Sequence, residues 1–339
     1  MMKLFVYEHL TGGGLLQAGN AVPPSLAVEG RAMIQALAAD FAALDGVRVA
    51  CLRDARAETW QIAGCRVIEV ASAEEHQRQF DACAGSANWS VVIAPEIDGI
   101  LLDRCRRVEQ VGGRLLGPSP QLVALASDKQ RTIEHLAAAG VPTPEGRSLD
   151  SGDAWPRDFS YPAVWKPRDG AGSQGVMLVR NATEPPCLPV GIAGRLERFC
   201  RGLPASVVLL GGPRGCIDLP ACRQRLSEDG RLRYLGGRVP LAAPQAERAR
   251  RLARRVAAAL GEVRGYLGID LVLGEDASGS HDVVIEINPR LTTSYLGLRA
   301  LCRQNLADLM LRMARGEAVD LSFQSQPISF TVAGHLGGS

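Results

Sequence analysis

The chain has 339 residues, a length that suits two or three domains and a core needing no disulfide or metal staple. Hydrophobic residues make up 46% and charged residues 22%, and Lys plus Arg (38) nearly balances Asp plus Glu (36), which excludes a disordered chain and argues against a dedicated nucleic-acid binder. No apolar run reaches the ~18 residues that cross a bilayer, residues 1–14 lack the pattern of a secretion signal, and the nine cysteines form no CxxC pair and read as free thiols in a reducing cytoplasm.

An apolar strand over residues 4–7 runs into a glycine-rich stretch from His9 to Gly14. A helical pattern covers 25–44. Strands fit 47–52, 66–70 and 91–96, followed by a helix over 100–111 and a last short strand over 115–118. Strands alternating with helices predict an α/β domain with a parallel sheet over residues 1–118. The pattern then changes. A helix opens at Ser127-Asp128-Lys129 and stops at Gly140, with Pro142 and Pro144 beyond it. Strands fit 163–166 and 176–179, and the proline-rich stretch 184–189 reads as a loop and hinge. Residues 222–226 and 231–235 form a hairpin about Glu228-Asp229-Gly230, and 244–260 is an amphipathic helix ended by Gly261. Strands over 267–273 and 282–288 close the series, so this region is α+β with antiparallel sheets.

Of the 38 basic residues only three are lysine: Lys3, Lys129 and Lys166. A surface cation can be Arg as well as Lys, whereas a site built for a compact ammonium on a slim stem cannot make that exchange freely. Lys129 opens a helix, and Lys166 ends a strand at the base of the loop PRDGAGSQG. This loop carries Gly170, Gly172, Ser173 and Gly175 and joins two strands, which excludes both a P-loop and a dinucleotide fingerprint. Its N–H groups suit a lid over phosphates, the competing reading being a plain flexible hairpin. On the last strand, alternation places Glu286 and Asn288 on one face together with Val284, and Ile285 and Ile287 on the core face. Asp270 sits among apolar strand residues, where a lone carboxylate is costly. Asp270, Glu286 and Asn288 together make an oxygen-rich patch suited to a hard cation such as Mg2+; the competing reading pairs Asp270 with Arg290. Glu197, followed by Phe199, is apolar-flanked at a strand edge, where it can accept from an adenine amine or be a plain surface acid.

Lys129, Lys166 with KPRDGAGSQGV, LERFCRG, GIDLVLG and IEINPRL, in this order, resemble the ATP-grasp superfamily over residues 119–310. The resemblance implies a small subdomain with the glycine-rich lid at 119–195 and a C-terminal subdomain with the metal strands at 196–339, after an N-terminal domain at 1–118. It implies that Lys129 and Lys166 contact ATP phosphates under the Gly170, Gly172, Ser173 and Gly175 lid, and that Glu197 and Phe199 hold adenine. Asp270, Glu286 and Asn288 then bind Mg2+, with Mn2+ as a substitute, and Arg290 stabilises the transferring phosphate or its acyl acceptor. One departure stands out. Pro204-Ala205-Ser206 occupies the place of the usual acidic ribose ligand.

The segments VYEHLTGGG, GLPASVVLL, CRQRL…RYLGGRVPL and EINPRLTTSYLGLR also resemble the tyramine–glutamate ligases of methanofuran biosynthesis, in one-carbon metabolism. That implies an ADP-forming ligase that joins the γ-carboxyl of L-glutamate to tyramine through an acyl phosphate, soluble and allowing a homodimer. Gln224, Arg225, residues 11–14 and residues 292–295 are the candidates for handling these substrates, with Tyr7 and Tyr295 flanking a slot for the aryl amine. The alternatives are an amino-acid ligase of the D-alanine–D-alanine type and a non-catalytic nucleotide-binding regulator. A nicotinamide dehydrogenase lacks its glycine fingerprint here.

Overall fold

The computed structural model describes residues 1–16, 24–183, 187–188 and 190–338. The chain opens with β1 (Met2–Glu8), α1 (Pro24–Ala42), β2 (Val47–Asp54), β3 (Cys65–Val70), α2 (Ala73–Ser86), β4 (Trp89–Ile93) and α3 (Ile100–Gln110). The four strands form a parallel sheet in the order β3-β2-β1-β4. Strand β1 is buried on both faces, Leu4 and Val6 against Ile34, Leu37 and Phe41, and Phe5 and Tyr7 against Phe80 and Leu101. That explains why it reads as an apolar run without alternation. The expected strand over 91–96 stops at Ile93, ahead of Pro95, which has no N–H to donate. The expected strand over 115–118 shrinks to one parallel bridge, Ser90 to Leu115, because Gly113 and Gly117-Pro118 leave no run to pair.

Helices α4 (Pro120–Ala126) and α5 (Lys129–Ala138) follow, capped by the Ser119 and Asp128 side chains. They lead into a small antiparallel sheet of β5 (Gly146–Ser148), β6 (Ala163–Pro167), β7 (Met177–Val179) and β8 (Gly194–Arg198), in the order β5-β8-β6-β7. Its core is built on Trp165 and Leu196. Of the proline-rich stretch 184–189, residues 184–186 and 189 lie outside the described residues.

The remainder comprises β9 (Leu203–Gly212), β10 (Gly215–Asp218), β11 (Cys222–Leu226), β12 (Tyr234–Val239), α6 (Ala243–Leu260), β13 (Gly265–Leu273), β14 (Val283–Asn288), α7 (Ser294–Leu301), α8 (Leu306–Ala314), β15 (Ile328–Thr331) and β16 (Leu336–Gly338). They build an antiparallel sheet in the order β14-β13-β9-β11-β12-β15-β16, with β10 folding back on β9. The hairpin differs from expectation: its second strand starts at Tyr234 rather than residue 231. Asp229 accepts from the Ser227 hydroxyl, the Arg231 N–H and the Arg233 guanidinium, and this tight turn consumes the residues assigned to the strand.

A second difference matters for the site. Asp270 pairs with Glu286 but Leu271 pairs with Val284, so Ile285 is an extra residue, a bulge. The bulge reverses the alternation below it. Val284 joins Ile287 in the core, and Ile285, expected to face inward, turns toward the site. Helix α1 packs on α7 and α8 as well as on β1 and β2, so one core runs from the parallel sheet into the C-terminal helices.

Candidate active site

The face of β13 and β14 opposite their core, the inner side of β11, and the small sheet with its glycine-rich loop enclose a cavity of about 940 Å³. On its floor, Asp270 faces Glu286 across the strand pair. The Asp270 carboxylate accepts from Gln224 Nε2 at 2.7 Å and from Asn288 Nδ2 at 3.1 Å. Burial, reinforced by the charge of Glu286, pushes the Asp270 pKa up to about 7 despite those two donors. The two facing carboxylates therefore call for a cation. An all-oxygen set of two carboxylates and an amide fits Mg2+, which keeps positions free for phosphate oxygens. Among the described residues there is no cluster of three or more His, Cys, Asp or Glu that could hold a metal ion by itself.

The two informative lysines, far apart in the sequence, arrive at consecutive residues of β14. Lys129 Nζ lies 3.2 Å from Glu286 Oε1 and donates to the Gly170 carbonyl at 2.9 Å. Lys166 Nζ donates to the Ile285 carbonyl at 3.1 Å and lies 2.7 Å from Glu197 Oε1. The bulge turns that carbonyl toward the lysine. Asp128 fixes Lys129 by capping α5 and by its ion pair with Arg168 at the root of the loop.

Gly172 and Ser173 of the loop line the cavity, whereas Gly170 meets it through its bond to Lys129 and Gly175 packs over Pro167. Gly172, Gly175 and Ser173 hold left-handed backbone (φ 64°, 73° and 57°), which explains the glycines and makes Ser173 the unusual member. Glu197 and Phe199 line the opposite wall. The Glu197 carboxylate joins two buried cations, Lys166 and, at 3.0 Å, Arg195. The neighbouring residues 198–200 also line this wall.

Arg290 also lines the cavity, and it does not pair with Asp270. Its Nε and Nη2 grip the buried Glu96 at 2.9 and 3.2 Å. Burial works against its charge, but Glu96, then Glu29 and Glu286, leave its pKa raised. Arg225 sits at the exposed rim, donating to the Leu235 carbonyl at 3.3 Å, while its neighbour Gln224 reaches the floor. Thr292, Thr293 and Ser294 line the cavity.

Two expected slot residues lie elsewhere. Tyr295 is fully buried, its hydroxyl on Asp40 at 2.6 Å. Tyr7 is fully buried between His9 and His76. Both are large apolar rings on core faces whose hydroxyls find internal partners, so neither is free to receive a ligand. Residues 11–14 do not line this cavity; the Thr11 N–H and hydroxyl instead bind the buried Glu8. Sequence reasoning missed Glu96, Arg195 and Glu29. Arg195 was findable, since it shares a strand face with Glu197 two residues on. Glu96 and Glu29 carry no pattern that distinguishes them from surface acids.

The ATP-grasp domain family matches residues 126–294, and the pre-ATP-grasp 3 domain family matches residues 47–123. The chain is similar to the tyramine–L-glutamate ligase of Methanocaldococcus fervens, 23% identical over 306 residues, which cover 90% of this chain and 92% of that protein. It is likewise similar to the tyramine–L-glutamate ligase of Methanocaldococcus jannaschii, at 24% identity over 90% of this chain and 88% of that protein. Among solved structures, an ATP-grasp superfamily protein from Archaeoglobus fulgidus superposes with a TM-score of 0.73 at 22% identity, over 98% of this chain and 92% of that one.

Proposed function

This chain is an ATP-grasp ligase, ADP-forming and making a C–N bond, and from that premise we propose that it activates a carboxylate as an acyl phosphate and passes it to an amine. The carboxylate is the γ-carboxyl of L-glutamate and the amine is tyramine. The observation that carries the reading is the meeting of Lys129 and Lys166 on consecutive residues of β14, beside the facing carboxylates of Asp270 and Glu286. Such a mixed set of cations and acids suits a polyphosphate with its divalent ion.

In this reading Lys129, Lys166 and the Gly172–Ser173 backbone hold the ATP phosphates, and the wall from Glu197 to Phe199 receives adenine. Asp270, Glu286 and Asn288 would hold Mg2+, or Mn2+ in its place, which when bound neutralises charge on the phosphates. Arg290, kept in orientation by Glu96, faces the phosphoryl group in flight. The glutamate carboxylate oxygen attacks the γ-phosphorus, ADP leaves, and the lid keeps water from the acyl phosphate. The tyramine nitrogen then attacks the acyl carbon and phosphate departs. No protein nucleophile is needed. Arg225 at the rim supplies a cation for the second carboxylate of glutamate, and Gln224 bridges that region to Asp270.

The similarity to the two tyramine–L-glutamate ligases over nine-tenths of the chain supports these substrates over an alanine-type dipeptide. The test is a panel of carboxylate and amine pairs scored for ADP, with product mass as the readout. Glutamate plus tyramine should give glutamyltyramine. Turnover with other pairs only would refute the substrates, and no ATP turnover with any pair would favour a nucleotide-binding regulator.

A further inference from the structure

The transfer step needs something the residues above do not provide. An alkylamine arrives as a cation and must lose a proton before it can attack. The acids around the cavity floor are engaged: Asp270 by two amides, Glu286 by Lys129, and Glu197 by Lys166 and Arg195. Glu29 differs. It comes from α1, in the parallel-sheet domain, yet its side chain lines the cavity of the ATP-grasp part. The packing of α1 on α7 puts it there, and the Thr293 hydroxyl just ahead of α7 donates to its Oε1. Among the described residues it has no salt-bridge partner, although it lies within electrostatic reach of Arg290 and Tyr234, which also feel Glu286 and Asp270 respectively. Three residues earlier on the same helix face, Leu26 meets the lid at Gly172. One face of α1 thus touches the lid and offers a carboxylate to the space beneath it.

We propose that Glu29 binds the ammonium of the acceptor amine and takes its proton. This rests on the acyl-phosphate reading above. The ammonium forms an ion pair with the carboxylate and transfers one proton to it, leaving a neutral amine. The nitrogen lone pair forms the C–N bond to the acyl carbon, and the C–O bond to the phosphoryl group breaks with its electron pair going to phosphate. The second nitrogen proton leaves with phosphate, and Glu29 returns its proton to solvent once the product departs. Thr293 holds the Glu29 carboxylate in place while this happens. Beyond it, the β15–β16 hairpin adds Phe330 and Leu336 to the cavity wall, an apolar surface for the organic part of the amine.

The test compares Glu29→Gln with the wild type using two acceptors. Tyramine is cationic at neutral pH; hydroxylamine is neutral there and needs no base to be made nucleophilic. Glu29→Gln should lose about 100-fold or more of its amide formation with tyramine. It should keep most of its hydroxamate formation, which also reports that the site is folded. Raising the pH should restore part of the tyramine rate in the variant, as more amine becomes neutral. Full tyramine activity in Glu29→Gln, or equal loss with both acceptors, would overturn the assignment alone. A wild-type enzyme that made no hydroxamate at all would overturn the acyl-phosphate reading, and this inference with it.

Discussion

Neutralising Glu197 should destabilise the protein more than removing Lys166. Glu197, Lys166 and Arg195 are each 2–3% exposed. The single carboxylate serves both cations, Lys166 at 2.7 Å and Arg195 at 3.0 Å. Glu197→Gln therefore strands two buried charges, leaving Lys166 with the Ile285 carbonyl and Arg195 with Gln130 and the Pro144 carbonyl. Breaking a buried pair in this way costs about 3–5 kcal/mol. Lys166→Met removes one cation, keeps the volume roughly constant and leaves Glu197 paired with Arg195, so the loss is that of one charge-assisted bond, about 1.5–3 kcal/mol. Urea unfolding followed by circular dichroism, without nucleotide, gives both numbers on one scale. Lys166→Met should nonetheless be the poorer enzyme relative to its stability, since its ammonium is assigned to phosphate. If Glu197→Gln proved as stable as Lys166→Met, the carboxylate would not be the shared anion, and the account of this wall would fail.

Glu286→Gln should raise the Mg2+ concentration for half-maximal turnover by at least about tenfold, whereas Ile287→Val, on the core face, should cost about 0.5–1.5 kcal/mol and leave the Mg2+ titration unchanged; matching titrations would undo the face assignment. His9 is buried neutral, its pKa pushed down to about 3 by burial and then by Arg104 and His76. The unfolded chain protonates this histidine below about 6.5 while the folded one does not, so stability falls as the pH drops through that value; at pH 5.5 the loss from His9 is about 1.4 kcal/mol. The stability difference between pH 7.5 and 5.5 should shrink by that amount in His9→Gln, and an unchanged difference would mean that His9 titrates normally. A Cβ on Gly212 would lie 2.0 Å from the Met313 carbonyl, a backbone atom of α8. Gly212→Ala should cost about 1–3 kcal/mol in urea unfolding, and a neutral result would show that α8 can retreat from β9.

The parts of the fold that were legible in the sequence have local signals. The parallel domain follows from strands alternating with helices, α5 from its Asp128 cap, and the lid from three glycines between two strands. The candidate phosphate and metal residues were legible for a chemical reason: a rare lysine or a carboxylate in an apolar strand is costly unless it has work to do. Long-range geometry was not legible. The bulge at Ile285 arises from pairing with β13, so strict alternation put Val284 on the wrong face. Tyr7 and Tyr295 sit beside functional segments in the chain but turn into cores, a choice made by packing. Glu29 and Glu96 look like ordinary acids until the fold brings α1 to the cavity and the loop after β4 to Arg290.

The central claim is tested most directly by incubating the protein with ATP, Mg2+, tyramine and L-glutamate labelled with 18O in both oxygens of its γ-carboxylate. If that carboxylate is phosphorylated and then aminolysed, mass spectrometry should find glutamyltyramine carrying one 18O and an equal amount of phosphate carrying the other. Glutamyltyramine accompanied by unlabelled phosphate would contradict activation through an acyl phosphate, and ADP formed without glutamyltyramine would contradict the substrates.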